Sequence, residues 1–222
     1  MLKRSRFAIG AILLLCTIAS SAAYADSAAP VSENAKLSKP AVKLPSNLIR
    51  LPLTRQATNY TCGVAALQSV LAYYGEEYSE IPLSKILKSN STIGTAYKQI
   101  ARFSEKQGFR VDIHKDMKIE DLKALIDKKL PVLCLLQAWS EAQPKDYRNE
   151  WQDGHYVVAV GYDDKNIFFM DPSTLGNFAY IPETEFIDRW HDTDGKEKLT
   201  HFGMVVSRDK VGYQPDVATF ME

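Results

Sequence analysis

Apolar residues at Val64, Leu67, Val70, Leu71 and Tyr74 recur at intervals of three and four, the spacing of a helix that buries a face. Gly75 follows where such a helix ends on a left-handed residue. The polar, turn-prone run 55–61 leads into it, so Cys62 falls at or near the helix N-terminus. Residues 79–87 read as a short helix with Pro82 in its first turn. A polar loop at 91–97 feeds another helix, through Ile100 and Phe103 to Gly108, and residues 118–129 form one with Ile119, Leu122, Leu125 and Ile126 on one face. The alternation at 109–113 is that of a strand, and that at 48–53 of a short strand or edge segment. Beyond residue 130 the period changes: 132–139, 155–162, 167–170, 179–181 and 201–207 read as strands, interrupted by a helix at 183–190. Helices first and a largely antiparallel sheet afterwards predict an α+β domain in two lobes.

Composition refines this picture. With 222 residues, 45% hydrophobic and 24% charged, the chain is long enough for one well-filled core, and one domain is expected. The first 25 residues read as a secretory signal: Lys3, Arg4 and Arg6, an apolar run over 7–18, and Ala23-Tyr24-Ala25 before a cleavage expected ahead of Asp26. Ser20 and Ser21 break the apolar run that an uncleaved anchor would need, and Leu15 stands where a lipid-attachment site at Cys16 would have a small residue. Residues 26–46, rich in Ala, Ser, Pro and Lys, read as a linker, and 47–222 as the folded domain. Loss of the signal leaves 24 basic residues against 27 acidic ones, a formal charge of −3 with no basic tract, so nucleic acid is not an expected partner. Export, to the periplasm or beyond, is the expected localisation, with no stable membrane insertion after cleavage.

Chemistry enters through four residues. Unpaired N–H groups and the positive end of the dipole make a helix N-terminus the place where a thiolate is cheapest, so Cys62 is a candidate nucleophile. Gln56, six residues upstream, carries an amide that could donate to a developing oxyanion. Cys134 lies in the apolar run 131–136 and reads as core, leaving Cys62 a free thiol. Of the four histidines, His155 follows Asp153-Gly154 and opens the strand Tyr156-Val157-Val158, which would fix its backbone at the strand mouth. That strand turns through residues 163–166 and returns to end on Asp171-Pro172, so a carboxylate lies at the same end of the hairpin as the imidazole. Side chains alternate along a strand, so the two meet only if odd-numbered residues pair with odd-numbered ones. A turn centred on Asp164 gives that register, and a turn centred between Asp164 and Lys165 turns Asp171 away; residues 163–166 accommodate either. The polar loop 140–154 is longer than a simple turn and is expected to border the site.

Gln56, the Thr61-Cys62-Gly63 helix start, the Gly154-His155-Tyr156-Val157-Val158 strand start with its Gly161-Tyr162 turn, and the Asp171-Pro172 strand end together resemble the pattern of the papain-like bacteriocin-leader peptidases, also called double-glycine peptidases. The resemblance runs from about residue 51 to about residue 206. It implies a papain-like fold, a helical lobe on an antiparallel sheet, with Cys62 as nucleophile, His155 as general base and acid, Asp171 as orienter, and Gln56 as oxyanion-hole donor. A peptide or protein is the implied substrate, and no cofactor or metal is. The family's leader-removing members are cytoplasmic domains fused to an export transporter, whereas this chain carries a signal, so a substrate outside the cytoplasm is expected. Two other functions share these residues: a peptidyl transferase similar to phytochelatin synthases, and a peptide-binding module without catalysis.

Overall fold

The computed structural model describes residues 41–140, 145–218 and 220–221. The signal segment, most of the linker and part of the polar loop therefore lie outside the described residues. Every element below belongs to the compact unit Val42–Glu222.

Among the described residues five helices, α1 (Cys62–Tyr73), α2 (Glu80–Ile86), α3 (Tyr97–Lys106), α4 (Ile119–Asp127) and α5 (Glu183–Arg189), accompany eight strands: β1 (Arg110–His114), β2 (Val132–Gln137), β3 (Gly154–Tyr162), β4 (Asn166–Met170), β5 (Ala179–Pro182), β6 (His191–Asp194), β7 (Glu197–Thr200) and β8 (Gly203–Ser207). Six strands form one sheet in the order β1-β8-β2-β3-β4-β5, antiparallel throughout, and β6 pairs with β7 apart from it. The helices of the first half and the sheet of the second are the α+β arrangement that the hydrophobic periods predict. The first half also contributes a strand, β1, which lies at the sheet edge beside β8.

Helix α1 is the centre of the domain. Its residues are buried nearly all round, Ala65, Ala66 and Ser69 as well as the apolar stripe, so it is a core helix rather than a half-exposed one. It packs against β3, α2 and α3. The buried Ser69 hydroxyl is satisfied by donating to the Pro52 carbonyl at 2.6 Å. The helix closes in a Schellman turn: Gly75 has φ +89°, its N–H donates to the Ala72 carbonyl, and Glu76 N–H donates to Leu71.

Residues 48–53 form no strand, and of the two expectations only the edge segment holds: Ile49 and Leu51 are buried, and Ile49 N–H donates to the Val160 carbonyl at 2.7 Å. Pro52 has no N–H for a continuing ladder. Hairpin β6–β7 was not apparent from the sequence. Its strands, His191-Asp192-Thr193-Asp194 and Glu197-Lys198-Leu199-Thr200, carry little apolar alternation, and its one signal is the Asp194-Gly195 pair at the turn. The strand expected at 201–207 begins later, because His201 stands at positive φ and its N–H bonds to the Trp190 carbonyl.

The hairpin β3–β4 answers the register question in an unforeseen way. Near the turn, Tyr162 pairs with Ile167 and Gly161 with Phe168, which is the register that would turn Asp171 away. The register then shifts, so that Ala159 pairs with Phe169 and Val158 with Met170. Val160 is the extra residue of a β-bulge. Continued by one residue, the shifted pairing sets Val157 opposite Asp171, on the face that carries His155. The turn takes one of the two alternatives, and the bulge converts it into the other. Val160, removed from the ladder, offers its carbonyl to Ile49 instead.

Candidate active site

Cys62 is the first residue of α1 and stands after Thr61, whose hydroxyl is held by Thr58. The first turn of α1 contains no acidic residue, so no carboxylate competes for the positive end of its dipole. Cys62 is 7% exposed, a closed position for a thiol that is to meet a substrate. Gly63 is tightly enclosed: a Cβ there would lie 2.8 Å from Thr95 Cβ and 2.9 Å from the Tyr156 ring.

His155 is 2% exposed, unlike an ordinary strand-start histidine, and its Nε2 lies 2.7 Å from Asp171 Oδ1. Nε2 is thereby occupied, which leaves Nδ1 as the ring nitrogen open to Cys62, whose thiol acts on the charge of this ring. Burial pulls the imidazole down, but the hydrogen bonds to Asp171 and Cys62 outweigh it and hold it up, at about 9. Burial likewise works against the Asp171 carboxylate, yet its bond and attraction to His155, with those from Ser173 and Thr174, hold it down at about 2. Both shifts favour an imidazolium beside a carboxylate. Asp171 is fixed from its other side as well. Its Oδ1 accepts from Ser173 N–H and its Oδ2 from Thr174 Oγ1, at 2.9 and 2.7 Å. The sequence Asp171-Pro172-Ser173-Thr174 carried this signal, because hydroxyl residues two and three places after an Asp close such turns.

Gln56 lies where the loop expectation puts it, and its N–H donates to the Pro172 carbonyl at 3.1 Å, tying the loop to the end of β4. Its Nε2 donates to the Thr58 carbonyl at 2.7 Å and its Oε1 is buried without a partner. The reversed amide would set two oxygens against each other, so the Thr58 carbonyl fixes which end points inward. One N–H of the amide remains for another acceptor. Cys134, by contrast, is fully buried in β2, and burial pushes its thiol well above the usual range. Cys62 and Cys134 are both free thiols.

Three features of the site escaped the sequence reading. The Trp139 ring packs on the His155 ring with centroids 4.8 Å apart, and the indole is 50% exposed, so it covers the imidazole from solvent. The loop before His155 is held by β6, where His191 Nε2 bonds to the Glu150 carbonyl at 2.6 Å and the His191 ring packs on Trp151. Gln137, fully buried, donates to the His191 carbonyl and to Asp192 Oδ1, and accepts from Asp153 N–H. Among the described residues no group of three or more His, Cys, Asp or Glu side chains is placed to hold a metal, and no helix is long and apolar enough to cross a membrane.

A thiol at a helix N-terminus, acting on an imidazole that a carboxylate orients, can exchange a proton with that imidazole and attack an electrophilic carbon. Residues 48–197 match the model of the Peptidase_C39 like family. The transport/processing ATP-binding protein ComA of Streptococcus pneumoniae is 27% identical over 136 residues, 61% of this chain and 17% of ComA, so the chain spans about a sixth of that relative. The peptidase domain of Streptococcus ComA, a bi-functional ABC transporter involved in quorum sensing, superposes with a TM-score of 0.54 at 21% identity, covering 72% of this chain and 98% of that one. A double glycine motif protease from an AMS/PCAT transporter, in complex with the leader peptide, gives 0.51 at 19% identity, covering 72% and 92%. At these identities the likeness is one of fold, the papain-like fold of C39 peptidase domains.

Proposed function

This chain belongs to the peptidase C39-like family, and on that premise we propose that it is a cysteine peptidase hydrolysing a peptide or amide bond outside the cytoplasm. The observation that carries the reading is the 2.7 Å contact of His155 with Asp171, on a ring whose charge Cys62 stabilises from the start of α1. In the proposed reaction the Cys62 thiolate attacks the substrate carbonyl, and the oxyanion is stabilised by the Cys62 backbone N–H and the free N–H of the Gln56 amide. The His155 imidazolium gives its proton to the leaving amine, which departs and leaves a thioester on Cys62. The neutral imidazole then takes a proton from water, whose oxygen adds to the thioester and releases the acid and the thiolate. Asp171 keeps the ring in the orientation that directs Nδ1 at sulfur.

A peptide is the substrate class that the related transporter protease, bound to its leader peptide, supports. The signal reading of residues 1–25 supports a substrate outside the cytoplasm. The closed position of Cys62 favours a second reading, a peptide-binding module without turnover. One experiment separates them: the purified protein is incubated with a mixed peptide pool, new termini are read by mass spectrometry, and Cys62 is probed with iodoacetamide. Hydrolysis gives new carboxyl termini that vanish in Cys62→Ala, whose circular dichroism is unchanged. Peptides retained intact by the protein, with Cys62 unlabelled, would establish the binding module, and products extended by an amine or thiol acceptor would make the enzyme a transferase.

A further inference from the structure

Asp192, on β6, is a buried carboxylate that the mechanism above does not use. It is 8% exposed, and its oxygens press on the backbone just before His155: a Cβ on Gly154 would lie 2.2 Å from Oδ2 and 2.4 Å from Oδ1. Its Oδ1 accepts from Gln137 Nε2 at 3.2 Å, and Gln137 is the residue paired with Gly154 across β2 and β3. Through its own oxygen the same amide holds Asp153 N–H at 2.9 Å. Asp153, Gly154 and the strand end that presents His155 are therefore fastened to the β6–β7 hairpin through Gln137 and Asp192. We propose that Asp192 is a positioning residue of this site, resting on the peptidase reading: with Gln137 it anchors the strand end that carries His155, and its buried carboxylate lies against that strand end.

The groups that face it are known from each neighbouring element. Asp194 lies on its own strand and bonds to Tyr97 N–H at the start of α3, His155 and Tyr156 come from β3, Gln137 from β2, and Cys62 acts on the same Tyr156 from α1. Burial raises the Asp192 carboxyl to about 6, the bonds from Thr193 and Gln137 oppose that rise, Asp194 adds to it, and His155 is the cation that counters it. The sign follows. Above about pH 6 Asp192 is an anion and helps His155 keep its proton, so its effect is read where the imidazolium is lost. At lower pH Asp192 is neutral and His155 is protonated without its help.

The test is an NMR titration of the His155 imidazole in the full chain, assigned by its loss in His155→Gln. In Asp192→Asn the ring loses its proton about half a pH unit to one pH unit lower than in the wild type. The alkaline limb of kcat/KM moves by the same amount, with KM unchanged. An unmoved His155 midpoint overturns the proposal, and so does an equal shift from Asp194→Asn, which would assign the effect to the hairpin's general charge. Should Asp192→Asn fail to fold, reciprocity supplies the second measurement: the Asp192 carboxyl carbon must titrate higher in His155→Gln than in the wild type, and an unchanged midpoint there also overturns the proposal. Neither titration needs a substrate, so a chain without peptidase activity would defeat the functional reading while leaving this one measurable.

Discussion

Cys134 and Cys62 carry the same side chain into different surroundings. Cys134 lies inside β2 with both strand faces covered, so Cys134→Ala removes buried volume and costs about 1–2 kcal/mol while leaving turnover in place at permissive temperature. Thermal unfolding beside a peptidase assay reads both effects, and loss of activity without loss of stability would reverse the roles of the two thiols. Gln56 is a subtler case. Its Nε2 is held by the Thr58 carbonyl before any substrate arrives, with one N–H left over, and a donor fixed in advance is what the proposed oxyanion role requires. Gln56→Ala is expected to lower kcat by about 10² to 10³ with KM little changed, because the hydrogen bond strengthens only as negative charge develops. Equal rates for variant and wild type would reduce Gln56 to a loop anchor.

Two elements, α1 and the β3–β4 hairpin, decide whether these residues can meet. In α1, local propensity and packing disagree at Gly63. An alanine is about 1 kcal/mol better than glycine inside a helix, yet a Cβ at this position would press on Thr95 and on the Tyr156 ring. Both neighbours are stiff, so packing wins: Gly63→Ala is expected to destabilise the fold by about 1–3 kcal/mol and to slow the reaction by displacing Cys62. A raised melting temperature would mean that the contact yields easily. The hairpin shows a comparable contest. Asp163 Oδ1 accepts from Lys165 N–H and Asn166 N–H, closing a turn whose register alone would separate His155 from Asp171. The bulge at Val160 restores the shared face. No local residue pattern marks it, because Val157-Val158-Ala159-Val160 is uniformly apolar and buried on both faces.

For the whole molecule, site electrostatics become a dependence of stability on pH. His155 is held above its ordinary value of 6.5, so its contribution is complete below about that pH and is lost as pH rises through about 9. Asp171 is held below its ordinary value of 3.8, so its contribution is present above that pH and is lost as pH falls through about 2. Asp192 has the opposite sign: its folded-state carboxyl is raised, so ionising it costs stability as pH climbs from 3.8 through about 6. Urea midpoints are therefore expected to decline between pH 6.5 and 9, and His155→Gln is expected to flatten that decline. Parallel curves for the two proteins would show that the imidazolium contributes no net stability.

The sequence by itself determined the five helices, most of the main-sheet strands and the α+β order, because each element carries its own hydrophobic period and its own stop, as α1 does in Gly75 and α3 in Gly108. It also placed Cys62 at a helix start and put His155 and Asp171 at one end of one hairpin, since chain order and turn length limit what a hairpin can bring together. Tertiary structure decided what depends on surfaces remote in sequence. Trp139 covers His155, β6 and β7 pair despite polar strands, and Asp192 reaches Gly154 across 37 intervening positions of chain order. The His155–Asp171 contact itself belongs to both levels: the strand ends were legible, but the shared face depends on a bulge stabilised by Ile49, a residue more than a hundred positions away, and no periodicity within β3 encodes such a partner.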